Sequence, residues 1–323
     1  MKRARTVAVL LALAGLALAA PDASAQRSGG TTRIIVPFPP GGTADVIARL
    51  VGQAASTATG QTFMIENRPG AGTIIGTSEA ARAAPDGNTL LIVSNSFIIN
   101  PSVRASLPYD PLTSFEPLCF LADSPQVVVV QNASPYRTLG DFIAAAKAKP
   151  GELSYATVGP ATTQHIAGEV LRRAAGIELT YVPFTGGAPA VNAILGGHVT
   201  MVLANYNEVM EQLKAGTLRA LAVSTPTRMA ALPEVPTIAE SGFKDYEASA
   251  YFGVVTPAKT PPETVARVSQ VLSDALKTPE VQSKLVAQGL ISVGTCGPEF
   301  AAYVRKQFDH YARVIKEAGI KSN

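Results

Sequence analysis

The stretch RIIVPFPPGGTADVIARLVGQA, residues 33–54, decides the fold class of this chain. Arg33 to Phe38 has the apolar run of a short buried strand, and the prolines and glycines at 39–42 break it. Apolar residues then recur at the spacing of one helix face, at Val46, Ile47, Leu50, Val51 and Ala54. A strand, a glycine turn and a helix form the repeating unit of α/β proteins.

The same order repeats along the chain. Further strands are predicted at 61–66, 89–93, 126–131, 153–157, 179–182, 199–203, 218–223 and 251–255. Helices are predicted at 73–84, 138–150, 163–176, 186–197 and 207–215, and late helices begin at Pro261-Pro262, Pro279 and Pro298. Thr138 and Asp141 have the spacing of a capping-box variant. The alternation predicts α/β layers with largely parallel sheets.

The N-terminus has the features of an export signal. Lys2, Arg3 and Arg5 precede an apolar run from Val7 to Ala20, and small residues at 23–25 precede Gln26. The run is shorter than the roughly 20 apolar residues that a membrane span needs. We therefore expect a signal peptide at 1–25, cleaved after Ala25, and a mature protein free in the periplasm.

Charge and length narrow the class of protein. Residues 1–25 contain three of the 27 Lys and Arg and one of the 24 Asp and Glu, so the rest of the chain has a net charge of +1. Such a balance, without a block of Lys or Arg, argues against a nucleic-acid partner, because the phosphate backbone requires a basic face. About 300 mature residues exceed one typical hydrophobic core, so two lobes are expected.

The two cysteines, Cys119 and Cys296, lie far apart in the sequence. Export permits a disulfide between them. Cys119 also lies in an apolar stretch, where a buried free thiol packs like any small hydrophobic side chain. We expect the free thiol, with the disulfide as the alternative.

Glycine-rich turns lead from strands into helices at Pro39–Thr43, Gly159–Thr163 and Thr185–Ala188. Each turn exposes backbone N–H groups at a helix N-terminus, where an anion can bind. In doubly wound sheets such turns gather at the carboxyl ends of the strands. Several of them together predict a site for a carboxylate, although each alone is ordinary turn geometry.

Each of several residues near these turns could have either a ligand-binding or a structural role. His165 could donate to a bound carboxylate or close the start of its helix. Asp45, in the first turn of its helix, is favoured there by the helix dipole whatever the function. Phe38 and Phe184 end the strands before two of the turns, and either form an apolar wall for a ligand or pack at a lobe edge.

Catalytic and metal-binding motifs are lacking in the sequence. It contains no nucleophile elbow, no HExxH and no paired-cysteine motif, and its three histidines, His165, His198 and His310, are not clustered. A single histidine without a positioned partner does not establish acid–base catalysis. We expect a binding protein rather than an enzyme, with no cofactor and no metal.

Seven segments, in order along the chain, carry a resemblance. They are VPFPPGGTAD (36–45), ENRPGAGTIIGTSEAARAAPDGNTLLI (66–92), LPYDP (107–111), TQHIAGE (163–169), YVPFTGGAPAVNAILGGHV (181–199), LRALAVST (218–225) and LPEVPTIAESG (232–242). Over essentially the whole mature chain the sequence resembles the Bug family, the solute receptors of tripartite tricarboxylate transporters.

The resemblance implies an α/β fold of the type II periplasmic-binding-protein kind, with two α/β lobes, a hinge and an interlobe ligand cleft. Lobe 1 would comprise 31–122 and 224–323, and lobe 2 would comprise 123–223. Together with the turns above, it implies ligand contacts from Phe38, Pro40, Gly41, Gly42, Thr43, Asp45, Asn95, Ser96, Gly159, Ala161, Thr162, Thr163, His165, Phe184, Thr185, Gly186, Gly187 and Asn205.

Two positions depart from the family pattern. The chain has Ala204-Asn205 where such receptors often carry Asp after a strand, and Tyr251 where Trp is often found. Both changes are expected to reshape the pocket, so the ligand is not transferable from a relative.

These observations predict a monomeric receptor that captures a small carboxylate, either an amino acid, a di- or tricarboxylate or an aromatic acid. It would deliver the ligand to the membrane subunits of a tripartite transporter by transient docking. One alternative is a receptor that reports the ligand to a sensor kinase. A second is a hydrolase or isomerase that uses His165 with Asp45.

Overall fold

The computed structural model describes residues 30–244, 246, 248–317 and 319–320. The predicted signal peptide, residues 1–25, lies outside these ranges. Within them, no helix combines the length and apolar character that a bilayer crossing requires.

The strands and helices follow one another much as the sequence predicts. The strands are β1 (Thr31–Val36), β2 (Thr62–Asn67), β3 (Thr89–Val93), β4 (Phe115–Gln131), β5 (Ser154–Thr157), β6 (Thr180–Pro183), β7 (Met201–Asn205), β8 (Leu218–Val223), β9 (Ser249–Pro257) and β10 (Ile291–Cys296). The helices are α1 (Thr43–Thr59), α2 (Ile74–Ala81), α3 (Asn95–Val103), α4 (Leu139–Ala148), α5 (Thr163–Ala175), α6 (Gly187–Leu195), α7 (Tyr206–Lys214), α8 (Pro262–Lys277), α9 (Pro279–Ala287) and α10 (Pro298–Glu317).

The strands pair in the order β2-β1-β3-β9-β4-β7-β5-β6, and β8 and β10 also pair with β4. The outer pairs are parallel: β1 with β2 and β3, and β5 with β6 and β7. The central pairs are antiparallel. Strand β4 pairs in this way with β7, β8, β9 and β10, and β3 pairs in this way with β9. The expected parallel pairing is therefore correct at both ends and wrong in the centre, because β4 and β9 run opposite to the strands beside them.

The apolar run of β1 packs on both faces of its sheet. Ile34 and Val36 face one core cluster together with Ile47 of α1 and Leu272 of α8. Ile35 faces the opposite cluster, which contains residues of α3 and α10. A strand buried on both faces reads as a continuous apolar run, which explains the sequence that opens the fold.

Helix α1 has a buried face slightly rotated from the predicted one. The buried hydrophobic positions are Ala44, Ile47, Ala48, Val51 and Ala55, whereas Val46, Leu50 and Ala54 are only partly buried. Small alanines bring the helix close to the sheet, so they occupy the most enclosed positions.

Three elements escape the sequence prediction. Residues 95–103 form α3, the first half of β4 precedes the predicted strand at 126–131, and β10 forms at 291–296. Strand β10 pairs with β4 at the edge of the described sheet, and none of its residues is fully buried, with Ile291 and Val293 exposed, so it lacks the buried apolar residues by which a strand is recognised in sequence. By contrast, the capping box is confirmed, since Thr138 and Asp141 each bond the other's backbone N–H.

Cys119 and Cys296 form a disulfide. They lie opposite each other in the antiparallel pair of β4 and β10, with Cα atoms 4.0 Å apart. The expectation of a free thiol at Cys119 is therefore wrong. Without β10 in the prediction, nothing in the sequence could place the two residues in register.

Candidate ligand-binding site

Two neighbouring cavities lie where the glycine-rich turns meet. The inner cavity measures about 50 Å³ and the outer cavity about 450 Å³. The inner cavity is lined by Phe38, Pro39, Pro40, Gly42, Thr43, Ala44, Ser94, Ser96, Val158, Thr162, Thr163, Gln164, Gly186, Gly187, Ala188, Pro189, Asn205, Glu208, Ala250 and Phe252.

Five helices start at the inner cavity. Their N-cap residues, Gly42 of α1, Ser94 of α3, Thr162 of α5, Gly186 of α6 and Asn205 of α7, all line it. Each helix N-terminus carries a partial positive charge and unpaired backbone N–H groups. The convergence therefore produces an environment suited to an anion without a basic side chain.

The outer cavity is mostly apolar. It is lined by Pro37, Phe38, Pro39, Pro69, Gly70, Ala71, Gly72, Thr73, Val158, Gly159, Pro160, Thr162, Phe184 and Thr185. Phe38, Pro39, Val158 and Thr162 line both cavities, so the two share a wall.

The residues expected to contact a ligand divide into three groups. Ten line the inner cavity: Phe38, Pro40, Gly42, Thr43, Ser96, Thr162, Thr163, Gly186, Gly187 and Asn205. Three line only the outer cavity: Gly159, Phe184 and Thr185. Five line neither cavity: Gly41, Asp45, Asn95, Ala161 and His165.

Asp45 does not line a cavity but supports the first glycine-rich turn, Pro39–Thr43. Its carboxylate accepts hydrogen bonds from the backbone N–H of Gly41 at 3.0 Å, from Asn67 at 2.9 Å and from Arg49 at 2.9 Å. Burial raises the pKa of Asp45, but these hydrogen bonds outweigh burial and lower it below its ordinary value. Gly41, with φ of 82°, has the left-handed backbone that favours glycine.

Asn95 also has a structural role. Its amide donates to the hydroxyl of Tyr311 at 2.8 Å and accepts from the backbone N–H of Tyr251 at 3.0 Å, and it is buried. These bonds tie α3 to β9 and α10. Ala161 packs within an apolar cluster with a positive φ of 58°.

His165 lies on the first turn of α5, with its ring 4.5 Å from the ring of Tyr181. Its backbone N–H donates to the hydroxyl of Thr162, which caps the helix. Burial lowers the pKa of His165, against a smaller raising effect of Glu169. The imidazole is therefore kept largely neutral at pH 7, and it lies outside both cavities.

A chain of hydrogen bonds links three of the helix starts. Gln164 donates to the side-chain oxygen of Asn205 at 3.0 Å, and the Asn205 amide donates to the Thr43 hydroxyl at 2.9 Å. The Thr43 hydroxyl donates in turn to Asn207 at 2.9 Å. Residues more than 160 positions apart are thereby joined across the inner cavity.

Glu208 is the most consequential lining residue that the sequence did not reveal. Its Oε1 lies 3.3 Å from the Thr43 hydroxyl, and its Oε2 is buried without a hydrogen-bond partner. Burial raises the pKa of Glu208 to about 7, and hydrogen bonds from the Asn205 backbone and from Thr43 oppose this only in part. Gly187 leaves room for it, because a Cβ at position 187 would overlap the Glu208 carboxyl group and force it to move.

The sequence offered one weak signal for Glu208. It lies in the first turn of a helix that directly follows a strand ending at the same edge as the glycine turns. An acid at that position is favoured by the dipole alone, so the signal does not distinguish function from capping. Gln164, Ser94 and Phe252 were missed because only folding brings them to the cavity.

Comparisons with known proteins identify the family of the chain. The model of the tripartite tricarboxylate transporter family receptor matches residues 47–320. Protein BugT of Bordetella pertussis is 33% identical over 317 residues, which are 98% of this chain and 97% of BugT.

Two solved structures share the fold at similar identity. The periplasmic binding protein BugD is 31% identical with a TM-score of 0.86, covering 91% of this chain and 99% of BugD. The protein Rpa4515 of R. palustris, solved with adipate, is 32% identical with a TM-score of 0.88, covering 92% of this chain and 100% of that protein.

The family model covers most of the chain, and the two solved structures match this chain over nearly their whole length. The expected α/β fold of the periplasmic-binding-protein type, with two lobes, is confirmed. The chain therefore belongs to the receptors of tripartite tricarboxylate transporters, the Bug family of periplasmic solute-binding proteins.

Proposed function

We propose that this protein captures a small carboxylate in the inner cavity and delivers it to a tripartite transporter. The observation that carries the proposal is the convergence of five helix N-termini on one cavity. Among the described residues that line this cavity, none is Lys, Arg or His. A carboxylate is among the anions that such backbone N–H donors stabilise.

The structure of Rpa4515 with adipate supports this choice, because adipate is a small carboxylate and the two chains share fold and family. The outer cavity extends from the inner one along a shared, largely apolar wall. A carboxylate group would lie in the inner cavity, and the rest of the ligand would extend along Phe38 and Phe184.

We assign the ligand contacts to the thirteen predicted residues that line one cavity or the other. Of the other five, Gly41 and Asp45 fix the shape of the first turn and Asn95 anchors α3. Ala161 and His165 lie behind the cavity wall. Binding rather than turnover fits this constellation, because the acids and the histidine near the cavity lack the mutual geometry of a catalytic pair.

The lobes would be residues 31–122 with 224–323, and residues 123–223, closing on the ligand about the central strands. The hydrogen bonds of Thr43 with Asn205 and Asn207 would form on closure, because Thr43 belongs to one proposed lobe and both asparagines to the other. A ligand shifts such an equilibrium by its higher affinity for the closed state. The closed surface would dock transiently on the membrane subunits, with the receptor as a monomer.

The signal peptide would direct export and be cleaved after Ala25, which releases the mature receptor into the periplasm. The two cysteines fit that compartment, because it permits disulfides.

Thermal unfolding of the mature protein, refolded without co-purified ligand, tests the proposal against amino acids, di- and tricarboxylates and aromatic acids. A ligand at about 100 times its dissociation constant adds roughly 2.7 kcal/mol, which raises the Tm by several degrees. Thr43→Val should reduce the shift, because it removes the hydroxyl that joins Asn205 to Asn207.

The matched control is Thr57→Val, on the exposed face of the same helix. No shift with any of these acids, for a folded protein, would overturn the proposal.

A further inference from the structure

We propose that Glu208 selects ligands that carry a positively charged amino group beside the carboxylate, so that this receptor takes an amino acid in preference to a plain di- or tricarboxylate. The inference rests on the proposed function, since it concerns the same inner cavity. Glu208 would then be a specificity-determining residue.

The first observation is the position of the carboxyl group. Glu208 reaches from the first turn of α7 to the start of α1, where its Oε1 meets Thr43, and to the start of α6, where Gly187 leaves room for it. Its Oε2 is buried and has no hydrogen-bond partner. A buried acceptor without a partner is costly, and a ligand that brings a donor would remove that cost.

The second observation concerns the partners that Glu208 already has. The Thr43 hydroxyl has a single proton, and Asn207 at 2.9 Å is a closer acceptor for it than Glu208 at 3.3 Å. Glu208 is thus held mainly by backbone N–H groups at the two helix starts. Helix N-termini favour its ionised form but supply nothing to its free oxygen.

The third observation is the absence of a compensating charge. Among the described residues that line the inner cavity, Glu208 is the one ionisable group, and no basic side chain accompanies it. An ammonium group would supply both the missing charge and up to three donors. A second carboxylate would instead face Glu208 with no cation between them, which is unfavourable unless a proton is shared.

The charged groups around Glu208 do not alter this balance. At the start of α1, Asp45 is bonded to Arg49 and Asn67, and on α7 Glu211 is paired with Lys214 in the solvent. The faces that α6 and β7 present, at Gly187 and Asn205, are uncharged. Burial therefore raises the pKa of Glu208 to about 7, and none of these charged groups offsets it.

This predicts the direction of proton exchange on binding. An ammonium group beside Glu208 favours its ionised form, so binding releases a proton near pH 7 and becomes tighter as the pH rises from about 6 to 8. A ligand with a second carboxylate at that place would favour protonated Glu208, take up a proton and bind more weakly over the same range.

Titration calorimetry with matched pairs of ligands tests the inference. The pairs are L-aspartate and succinate, L-glutamate and glutarate, and L-phenylalanine and 3-phenylpropionate, whose members differ by the amino group. In the pair that fits the outer cavity, the amino acid should bind roughly 10- to 100-fold more tightly. Repeating the titration in buffers of different ionisation enthalpy gives the number and sign of protons exchanged.

Glu208→Gln should reduce that preference to less than about 3-fold, because the amide retains the shape but not the charge. Glu211→Gln, one turn further along the same helix and exposed, should leave the preference unchanged. Thermal unfolding without ligand shows that each variant is folded.

The outcomes separate the two proposals. Tighter binding of the acids without an amino group, with proton uptake, overturns the role of Glu208 but leaves carboxylate capture intact. A preference for the amino acid that survives Glu208→Gln also overturns it. Binding of no member of any pair counts against carboxylate capture and, with it, against this inference.

Discussion

The first turns of α1 and α7 look alike in sequence and differ in chemistry. Each follows a strand of the sheet and carries an acid, Asp45 in one and Glu208 in the other. Asp45 receives hydrogen bonds from Gly41, Asn67 and Arg49, so its pKa is lowered. Glu208 has one buried oxygen without a hydrogen-bond partner, and burial of its carboxyl group raises its pKa to about 7.

The difference shows that position on a helix does not decide the role of an acid. The helix dipole favours both carboxylates equally. The two acids differ in the partners that other elements supply. Strand β2 contributes the Asn67 amide to Asp45, whereas α6 contributes only Gly187 beside Glu208. One acid consequently stabilises the fold, and the other is available to a ligand.

The largest expected effect is that of removing Asp45. Asp45→Ala should lower the free energy of unfolding by about 2–4 kcal/mol, because several charge-assisted hydrogen bonds are lost and Gly41 loses its acceptor. Denaturant unfolding at pH 7 measures this change. The loss should shrink as the pH falls from about 5 towards 2, because a lowered pKa contributes stability only while the group is ionised in both states. An unchanged free energy of unfolding would show that Asp45 does not stabilise the fold.

Glu208 should have the opposite dependence on pH. Because its pKa is raised, the folded protein binds a proton between about pH 4.5 and 7 that the unfolded chain does not bind, so stability falls as the pH rises through this range. Relative to Glu208→Gln, the unliganded protein should lose about 2–3 kcal/mol between pH 5 and 8. Parallel unfolding curves for the two proteins at all pH values would contradict the raised pKa.

Adding a methyl group at Gly187, which begins α6 beside Glu208, or at Gly42, which caps α1, should distinguish the surroundings of the two acids. Gly187→Ala should cost about 1–2 kcal/mol, because its Cβ would collide with the Glu208 carboxyl group. Gly42→Ala, the matched change before α1, should cost less, because its Cβ would have ordinary contacts of 3.8 and 3.9 Å. The cost at Gly187 should fall in a Glu208→Ala background, as a double-mutant cycle would measure.

The smallest expected effect is at Asn67. Its amide donates to Asp45 and to the carbonyl oxygen of Phe38 at 3.1 Å, so Asn67→Ala should cost about 1 kcal/mol in the free energy of unfolding. Ligand affinity should also fall, because the turn at Phe38 loses its support. Unchanged affinity with reduced stability would show that the turn holds its shape without Asn67.

Much of the site could be predicted from the sequence because its elements are local. Glycine turns that join strands to helices identified the walls at Gly42, Thr162 and Gly186, and the structure places all three at one cavity. Asn95 and His165 were expected at the same cavity but lie elsewhere. Their side chains turn towards Tyr311 and Tyr181, on elements that proximity in sequence does not reveal.

The repeating order of strands and helices, the glycine turns and the family resemblance are all readable from the sequence, because hydrophobic periodicity and turn chemistry are properties of neighbouring residues. The antiparallel centre of the sheet, the disulfide of Cys119 with Cys296 and the position of Glu208 at the cavity emerge only on folding. The physical reason is that the pairing of strands, the register of two cysteines and the partners of a buried acid all depend on residues far apart in the chain.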